Sequence, residues 1–309
     1  MMWMDLAPMC AEHVPLGPLT WFGLGGTARV LATVSTQAQL RTVLARACEV
    51  DLPVYVLGAG ANVLVGDGGV DGVVVRLKGG DFEQTQWDGP RVVAGAGVDI
   101  ASLTLAAVRR GLAGLECMAG IPGTAGGTVC MNAGGRFGEI KEAVRRVWTV
   151  HRSGCCREWN QEEAEFEYRR SALTGHIIER VAFELVPDDP GRVMQRYREI
   201  WEYKKQSQPL GRGSAGCVFK NPPGESAGAL IDRAGLKGTA VGGATVSEAH
   251  ANFIVVRSSA TASDIIELIA TVQQRVEEEF GVTLEPEVQI WGDCGQAARW
   301  QSREGLACT

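Results

Sequence analysis

The chain has 309 residues, 45% of them hydrophobic and 21% charged, with 30 basic against 36 acidic side chains and a net charge of −6. That length implies two or three domains, the composition excludes a disordered chain, and the acidic balance argues against a nucleic-acid polymer as main partner while leaving room for a local basic pocket for a small anion. Glycine supplies 40 residues, nearly double its usual share and without a collagen period, so it must serve tight backbone turns.

In chain order, the first segment, Met1 to Cys10, has neither the basic start nor the long apolar stretch of a secretory signal. Thr36 to Val50 has helical spacing, and Val54 to Leu57 and Val73 to Val75 are short β-branched runs that predict strands. Arg91 to Ala94 and Val144 to Val150 predict further strands, with a helix over Ile100 to Arg110 between them. The longest uncharged stretch, Cys117 to Gly135, is too rich in Gly, Pro, Thr and Asn to span a membrane. Pro187 to Gly191 reads as an inter-domain link, followed by a charged helix over Arg192 to Gln206. A second helix is expected from about Ser263 to Phe280, with Ile265, Leu268, Ile269, Val272 and Val276 on one stripe and Gly281 as its stop. The segment beyond Gly292 lacks periodicity and is expected to be peripheral. Nine cysteines without a Cys-x-x-Cys pair fit reduced thiols in a cytoplasm better than zinc or a disulfide framework.

Two segments concentrate glycine beside strands: Leu57-Gly58-Ala59-Gly60-Ala61-Asn62-Val63, and Ala119-Gly120-Ile121-Pro122-Gly123-Thr124-Ala125-Gly126-Gly127, which closes on Asn132 to Gly135. Such loops are either plain turns or cradles in which consecutive backbone N–H groups converge on a pyrophosphate. They are not the usual cradles. Val63 stands where the dinucleotide fingerprint needs Gly or Ala, a strand rather than a helix is expected after it, and no Gly-Lys-Ser/Thr occurs.

The chain resembles the UDP-N-acetylenolpyruvoylglucosamine reductase family. The matching stretches are Thr20 to Ala28, Leu57 to Val65, Ala119 to Gly135, Tyr168-Arg169-Arg170-Ser171, Ser214-Ala-Gly-Cys-Val-Phe-Lys-Asn-Pro222, Ala227 to Ser247, His250-Ala-Asn-Phe-Ile-Val255 and Leu284-Glu-Pro-Glu-Val288. They recur in the family's order over about residues 12 to 292, and the short path from Arg169 to the link is similar to the compact form without the extra substrate-covering insertion. The resemblance implies an α+β fold: a two-lobed FAD-binding domain of the vanillyl-alcohol-oxidase type (residues 12–187, lobes about 12–80 and 81–187) and an α+β substrate-binding domain (188–292), with tails at 1–11 and 293–309. It implies non-covalent FAD between the lobes, held by Gly58, Ala59, Gly60, Ala61 and Asn62 on one side and Gly120, Ile121, Pro122, Gly123, Gly126, Gly127 and Asn132 on the other. The implied activity is a cytoplasmic, NADPH-dependent reduction of the C=C bond of UDP-N-acetyl-3-O-(1-carboxyvinyl)-glucosamine, by a monomer with no metal and no nucleic-acid or membrane partner. The competing readings are an idle flavin-binding homologue and a carbohydrate oxidase of the same flavin superfamily.

Reduction of an enolpyruvyl ether passes charge through its carboxylate, so the site needs a cationic group there and a proton donor opposite the flavin. Arg169 matches the family's carboxylate-polarising arginine; position alone favours a surface ion pair in the charged stretch of Glu165, Glu167 and Arg170. Glu287 matches the family's acidic residue and needs a raised pKa to help near a developing dianion. Glu285 competes with it, since strand alternation would put both on one face. Cys217 departs from the family's serine proton donor, yet a thiol is the stronger acid and keeps the role chemically open; without the motif it could be a core cysteine. Lys205, Lys220 and Asn221 are the implied substrate-binding residues. His250 and Asn252 carry no assigned role beyond a structural hydrogen bond.

Overall fold

The short β-branched runs do form strands, and the cores they bury divide the molecule into three packed units. The fold is seen in a computed structural model that describes residues 3–209, 211, 213–257 and 259–292; the expected peripheral segment beyond Gly292 lies outside them. In the first unit Thr27–Val34 pairs in parallel with Val70–Leu77, which in turn takes Val54–Val56 on its far side. Cys10–Pro15 closes the other edge antiparallel. Helix α1 (Gln37–Glu49) covers this four-stranded sheet, its start fixed by a capping box between Thr36 and Gln39. Leu40, Val43, Leu44 and Ala47 pack with Val30, Val34 and Val75 in its core. Trp3, expected in a tail, is buried there too.

The second unit is a five-stranded antiparallel sheet ordered Cys156–Asn160, Val144–Val150, Ile177–Glu184, Arg91–Gly95, Thr85–Asp88. Helices α2 (Ile100–Arg109) and α3 (Ala125–Cys130) contribute to its core, capped by Asp99 and Thr124. The stretch expected as a link is ordered at both ends: Val186–Pro187 pairs with Leu112–Ala113, and Asp189 caps helix α4 (Pro190–Ser207). Helix α4 lies against α2 and Glu116–Met118, so a helix counted with the third segment in the sequence is packed as part of the second unit.

The third unit joins helices α5 (Ala227–Arg233) and α6 (Ala262–Phe280) to a three-stranded antiparallel sheet of Ala240–Val241, Ala244–Val246 and Ile254–Val256. The predicted stripe Ile265, Leu268, Ile269, Val272 and Val276 is buried in its core, and Gly281 ends α6 in the left-handed region at φ 67°. The chain then returns to the first unit. Gln289–Trp291 pairs in parallel with Val63–Val65, the strand that follows the first glycine loop. This pairing carries the Leu284 to Val288 segment across the molecule to the end of that loop.

Candidate functional site

The two glycine loops face each other across a cavity of about 290 Å³ between the first two units. Gly58 and Ala59 line one side, and Gly123, Thr124, Gly126 and Gly127 the other; Lys78, Cys130, His176 and Ile178 complete the wall. The glycines are needed for approach as well as for turning. A Cβ on Gly58 would come within 2.8 Å of Thr124 Oγ1 on the opposite loop, and one on Gly126 within 2.8 Å of the Ala96 Cβ. Gly60 sits at φ +66°, where a Cβ would run into the carbonyl oxygen of Leu19. Among the described residues the backbone N–H groups of Gly58, Ala59, Gly60 and Ala61 have no partner in the protein. A run of unpaired N–H groups beside a glycine-narrowed wall is the donor set a pyrophosphate requires, so the cradle fits the phosphate bridge of FAD.

Asn62, at the end of this loop, faces away from the cradle and toward the third unit: its Nδ2 donates to the Glu287 carbonyl at 3.1 Å. Asn132, expected with the cofactor ligands, is fully buried at φ 42° and its side chain is committed inside the protein. Its Nδ2 donates to Glu139 Oε2 (2.9 Å) and to the Glu167 carbonyl (2.8 Å), and its Oδ1 accepts from Lys141 N. Together with Ser171 Oγ, which donates to the Cys130 carbonyl, it ties down the loop that carries Arg169.

Arg169 itself sits at φ 56°, a conformation a non-glycine residue adopts rarely and only when its surroundings enforce it. Its Nε donates to Glu287 Oε1 at 2.8 Å, and its Nη2 and Nη1 donate to the carbonyls of Gly134 (2.7 Å) and Asn132 (3.4 Å). This is a fixed guanidinium and not a surface pair: its side chain is 12% exposed and that of Glu287 16%. The same geometry places the two glutamates differently. The segment forms a single bridge, Phe219 with Pro286, instead of the expected strand. Glu285 is turned out to solvent with Lys220, 2.5 Å away, while Glu287 is turned in toward Arg169. Burial raises the Glu287 carboxyl above its usual range, with Arg169 and then Lys220 opposing.

Cys217 is half-buried beside this pair. Burial first, then the charge of Glu287, push its thiol up to about 12, with Arg169 pulling the other way. It is therefore a thiol, not a thiolate, across the whole working pH range. Its backbone is held between two segments: Cys217 bridges Phe253, and the Val218 carbonyl accepts from Glu287 N at 2.7 Å. The structure thus brings Arg169, Cys217 and Glu287 together from positions far apart in the chain.

The substrate-side candidates scatter more. Asn221 N donates to the Tyr168 hydroxyl at 3.2 Å, and its Oδ1 accepts from Ala227 N. Lys205 is exposed on α4, whereas its neighbour Lys204, which sequence reasoning passed over, is buried with Nζ donating to the carbonyls of Ala119 (2.6 Å) and Cys117 (3.2 Å). Burial lowers the Lys204 ammonium to about 8, with Cys117 opposing and Arg169 adding to the shift. Val193, Ile200 and Lys204 are the buried residues of α4, spaced by seven and four, so the helical period already held the signal for Lys204.

Comparison with known proteins agrees with this geometry. Residues 28–158 match a family model described as FAD binding domain, and residues 208–291 one described as the UDP-N-acetylenolpyruvoylglucosamine reductase C-terminal domain. Among curated relatives, UDP-N-acetylenolpyruvoylglucosamine reductase 2 of Symbiobacterium thermophilum is 42% identical over 90% of this chain and 91% of its own. The reductase of Heliobacterium modesticaldum is 42% identical over 95% and 92%. Among solved structures, the UDP-N-acetylenolpyruvylglucosamine reductase of Thermus caldophilus superposes with a TM-score of 0.80 at 42% identity, covering 91% of this chain and 98% of that one.

Proposed function

The chain belongs to the UDP-N-acetylenolpyruvoylglucosamine reductase family, and on that premise we propose that it reduces UDP-N-acetyl-3-O-(1-carboxyvinyl)-glucosamine to UDP-N-acetylmuramate with NADPH, through bound FAD. On this reading it works as a monomer in the cytoplasm, in peptidoglycan precursor synthesis. The observation that carries it is the meeting of a fixed guanidinium, a buried carboxyl and a protonated thiol next to a glycine cradle suited to a dinucleotide. When bound in this cradle, FAD would supply the hydride chemistry that links NADPH to the substrate's double bond.

The protein's own part is orientation and charge. Arg169 engages the substrate carboxylate, its fork held by the carbonyls of Gly134 and Asn132 so that little reorganisation is needed as charge develops. Glu287, its carboxyl raised by burial, donates a hydrogen bond to the same carboxylate as it gains enolate character and keeps its proton. Cys217 Sγ–H delivers the final proton to the carbon next to the carboxylate, in the place where the family's motif has serine. Gly58 to Ala61 and Gly123 to Gly127 hold the pyrophosphate, while Lys205, Lys220 and Asn221 serve the nucleotide-sugar.

The test is spectroscopic. Purified protein should be yellow, bleach with anaerobic NADPH, and regain its colour on adding the enolpyruvyl sugar nucleotide. Colour that returns with oxygen or a simple sugar but not with this substrate would point to the oxidase reading, and colourless protein that takes up no FAD would sink both.

A further inference from the structure

Asn252 has no part in the chemistry above, yet both polar atoms of its side chain are spent on the segment that carries Cys217. It is 3% exposed. Its Oδ1 accepts from Phe219 N at 2.9 Å and its Nδ2 donates to the Phe219 carbonyl at 2.8 Å, so one carboxamide satisfies both backbone groups of a single residue. Its own carbonyl accepts from Val218 N at 2.9 Å, and the next residue, Phe253, bridges Cys217. Cys217 to Phe219 is therefore laid along Asn252 as a strand is laid along its neighbour, with a side chain supplying the pairing that backbone supplies elsewhere.

The turn that presents Asn252 is itself fixed. His250 Nδ1 accepts from Asn252 N at 3.2 Å, and Phe253 N donates to the His250 carbonyl. Accepting at Nδ1 leaves the proton of a neutral ring on Nε2; burial keeps that ring below its ordinary pKa, with a backbone hydrogen bond opposing and Lys237 adding to the shift. The chain from His250 through Asn252 to Phe219 ends two residues from the sulfur.

We propose that Asn252 is a positioning residue for the proton donor: its carboxamide sets where Cys217 Sγ stands, and His250 sets where the carboxamide stands. This rests on the reading of Cys217 as the donor. Only an amide serves, because Phe219 needs an acceptor and a donor at once. Alanine would leave two buried backbone groups unpaired, and aspartate would aim a carboxylate at the Phe219 carbonyl.

The experiment is a double-mutant cycle read on the two half-reactions separately. Asn252→Ala should leave flavin reduction by NADPH within about 3-fold of the parent and slow reoxidation by the enolpyruvyl sugar about 10- to 100-fold, the scale of a donor moved by an ångström. In a Cys217→Ala background the same change should add less than about 2-fold, because the group it positions is gone. Asn252→Asp guards against loss of fold. It keeps the acceptor and regains the donor only when protonated, so its reoxidation rate should recover as pH falls while that of the parent does not. Iodoacetamide, followed by peptide mass mapping, should label Cys217 about 10-fold faster in Asn252→Ala. Full multiplicative loss in both backgrounds, or equal slowing of both half-reactions, would make Asn252 a packing residue and overturn the proposal. A fully active Cys217→Ala enzyme overturns it through its premise, and parent protein not reoxidised by the substrate at all marks failure of the functional reading instead.

Discussion

Arg169 Nε and Glu287 Oε1, 2.8 Å apart, belong to separately packed parts of the chain, the arginine to a loop of the second unit and the glutamate to the returning segment after α6. Glu287 remains shifted upward by burial despite the arginine beside it, so the site keeps a carboxyl that is costly to ionise next to a guanidinium held by Glu287 and two backbone carbonyls.

Stability should report this. A carboxyl raised in the folded state costs nothing below its unfolded pKa, near 4.5, and destabilises as pH rises through its folded value. Glu287→Gln should therefore melt progressively higher relative to the parent as pH is raised from about 4.5, with the gap levelling once Glu287 is ionised. A gap that does not change with pH would mean that Glu287 titrates normally.

Arg169→Ala should separate the half-reactions. NADPH should still bleach the flavin, while reoxidation by the enolpyruvyl substrate falls about 10²- to 10³-fold, the cost of one preorganised donor to a developing oxyanion. Equal loss in both steps would place the arginine elsewhere in the cycle. Because Glu287 would lose its cation, its carboxyl should rise further, and the melting difference described above should widen in the Arg169→Ala background.

For Cys217 the direction of the pKa decides the expectation. A thiol pushed up to about 12 is a donor at every working pH, so no inflection from it should appear in the rate below about pH 9. Cys217→Ser should stay active, and Cys217→Ala should keep flavin reduction but lose reoxidation by roughly 10² to 10⁴, the range of a general acid. Near-normal turnover of the alanine variant would move the proton to water or to Glu287.

Local rules made much of this legible in the sequence, and long-range pairing the rest illegible. The capped helices and the glycine loops announce themselves because Thr36, Asp99 and Thr261 satisfy helix N–H groups near in sequence, and Gly60 needs a conformation only glycine adopts cheaply. Which of Glu285 and Glu287 turns inward was not legible. It depends on the parallel pairing of Gln289–Trp291 with Val63–Val65 and on the Asn62 bond to Glu287, whose partners stand 225 positions apart. Asn132 carried the composition of a phosphate loop and turned out to brace Arg169, which only the packing of Glu167 and Glu139 against it reveals.

The glycine cradle gives a cofactor prediction. Gly60→Ala forces a side chain into the left-handed region and against the Leu19 carbonyl, at a cost of about 1–3 kcal/mol. Part of that cost is met by moving the loop, so purified Gly60→Ala should carry well under stoichiometric FAD and bind added FAD at least about 10-fold more weakly. Full occupancy on purification would show that the loop does not carry the pyrophosphate.

The two adjacent lysines of α4 should behave oppositely, because a helix turns about 100° between them. Lys204 pins Cys117 and Ala119 beside the Gly120 turn, where a Cβ would already press within 3.1 Å of the lysine stem. Lys204→Met removes both bonds and should weaken FAD about 10-fold or more, since hydrogen bonds from a charged donor are each worth about 1.5–3 kcal/mol. The pH dependence has a definite sign. With the folded ammonium lowered to about 8 from 10.5, the unfolded chain holds more protons between those values, so the parent gains stability relative to Lys204→Met as pH rises from 8 to 10.5. Lys205→Met, on the exposed side, should leave both FAD affinity and the melting profile unchanged and act on the KM for the sugar nucleotide alone. Melting curves of the two variants across that pH range, with FAD titrations at pH 7, decide it: equal behaviour would mean that Lys204 is not held where α4 and the Gly120 turn meet.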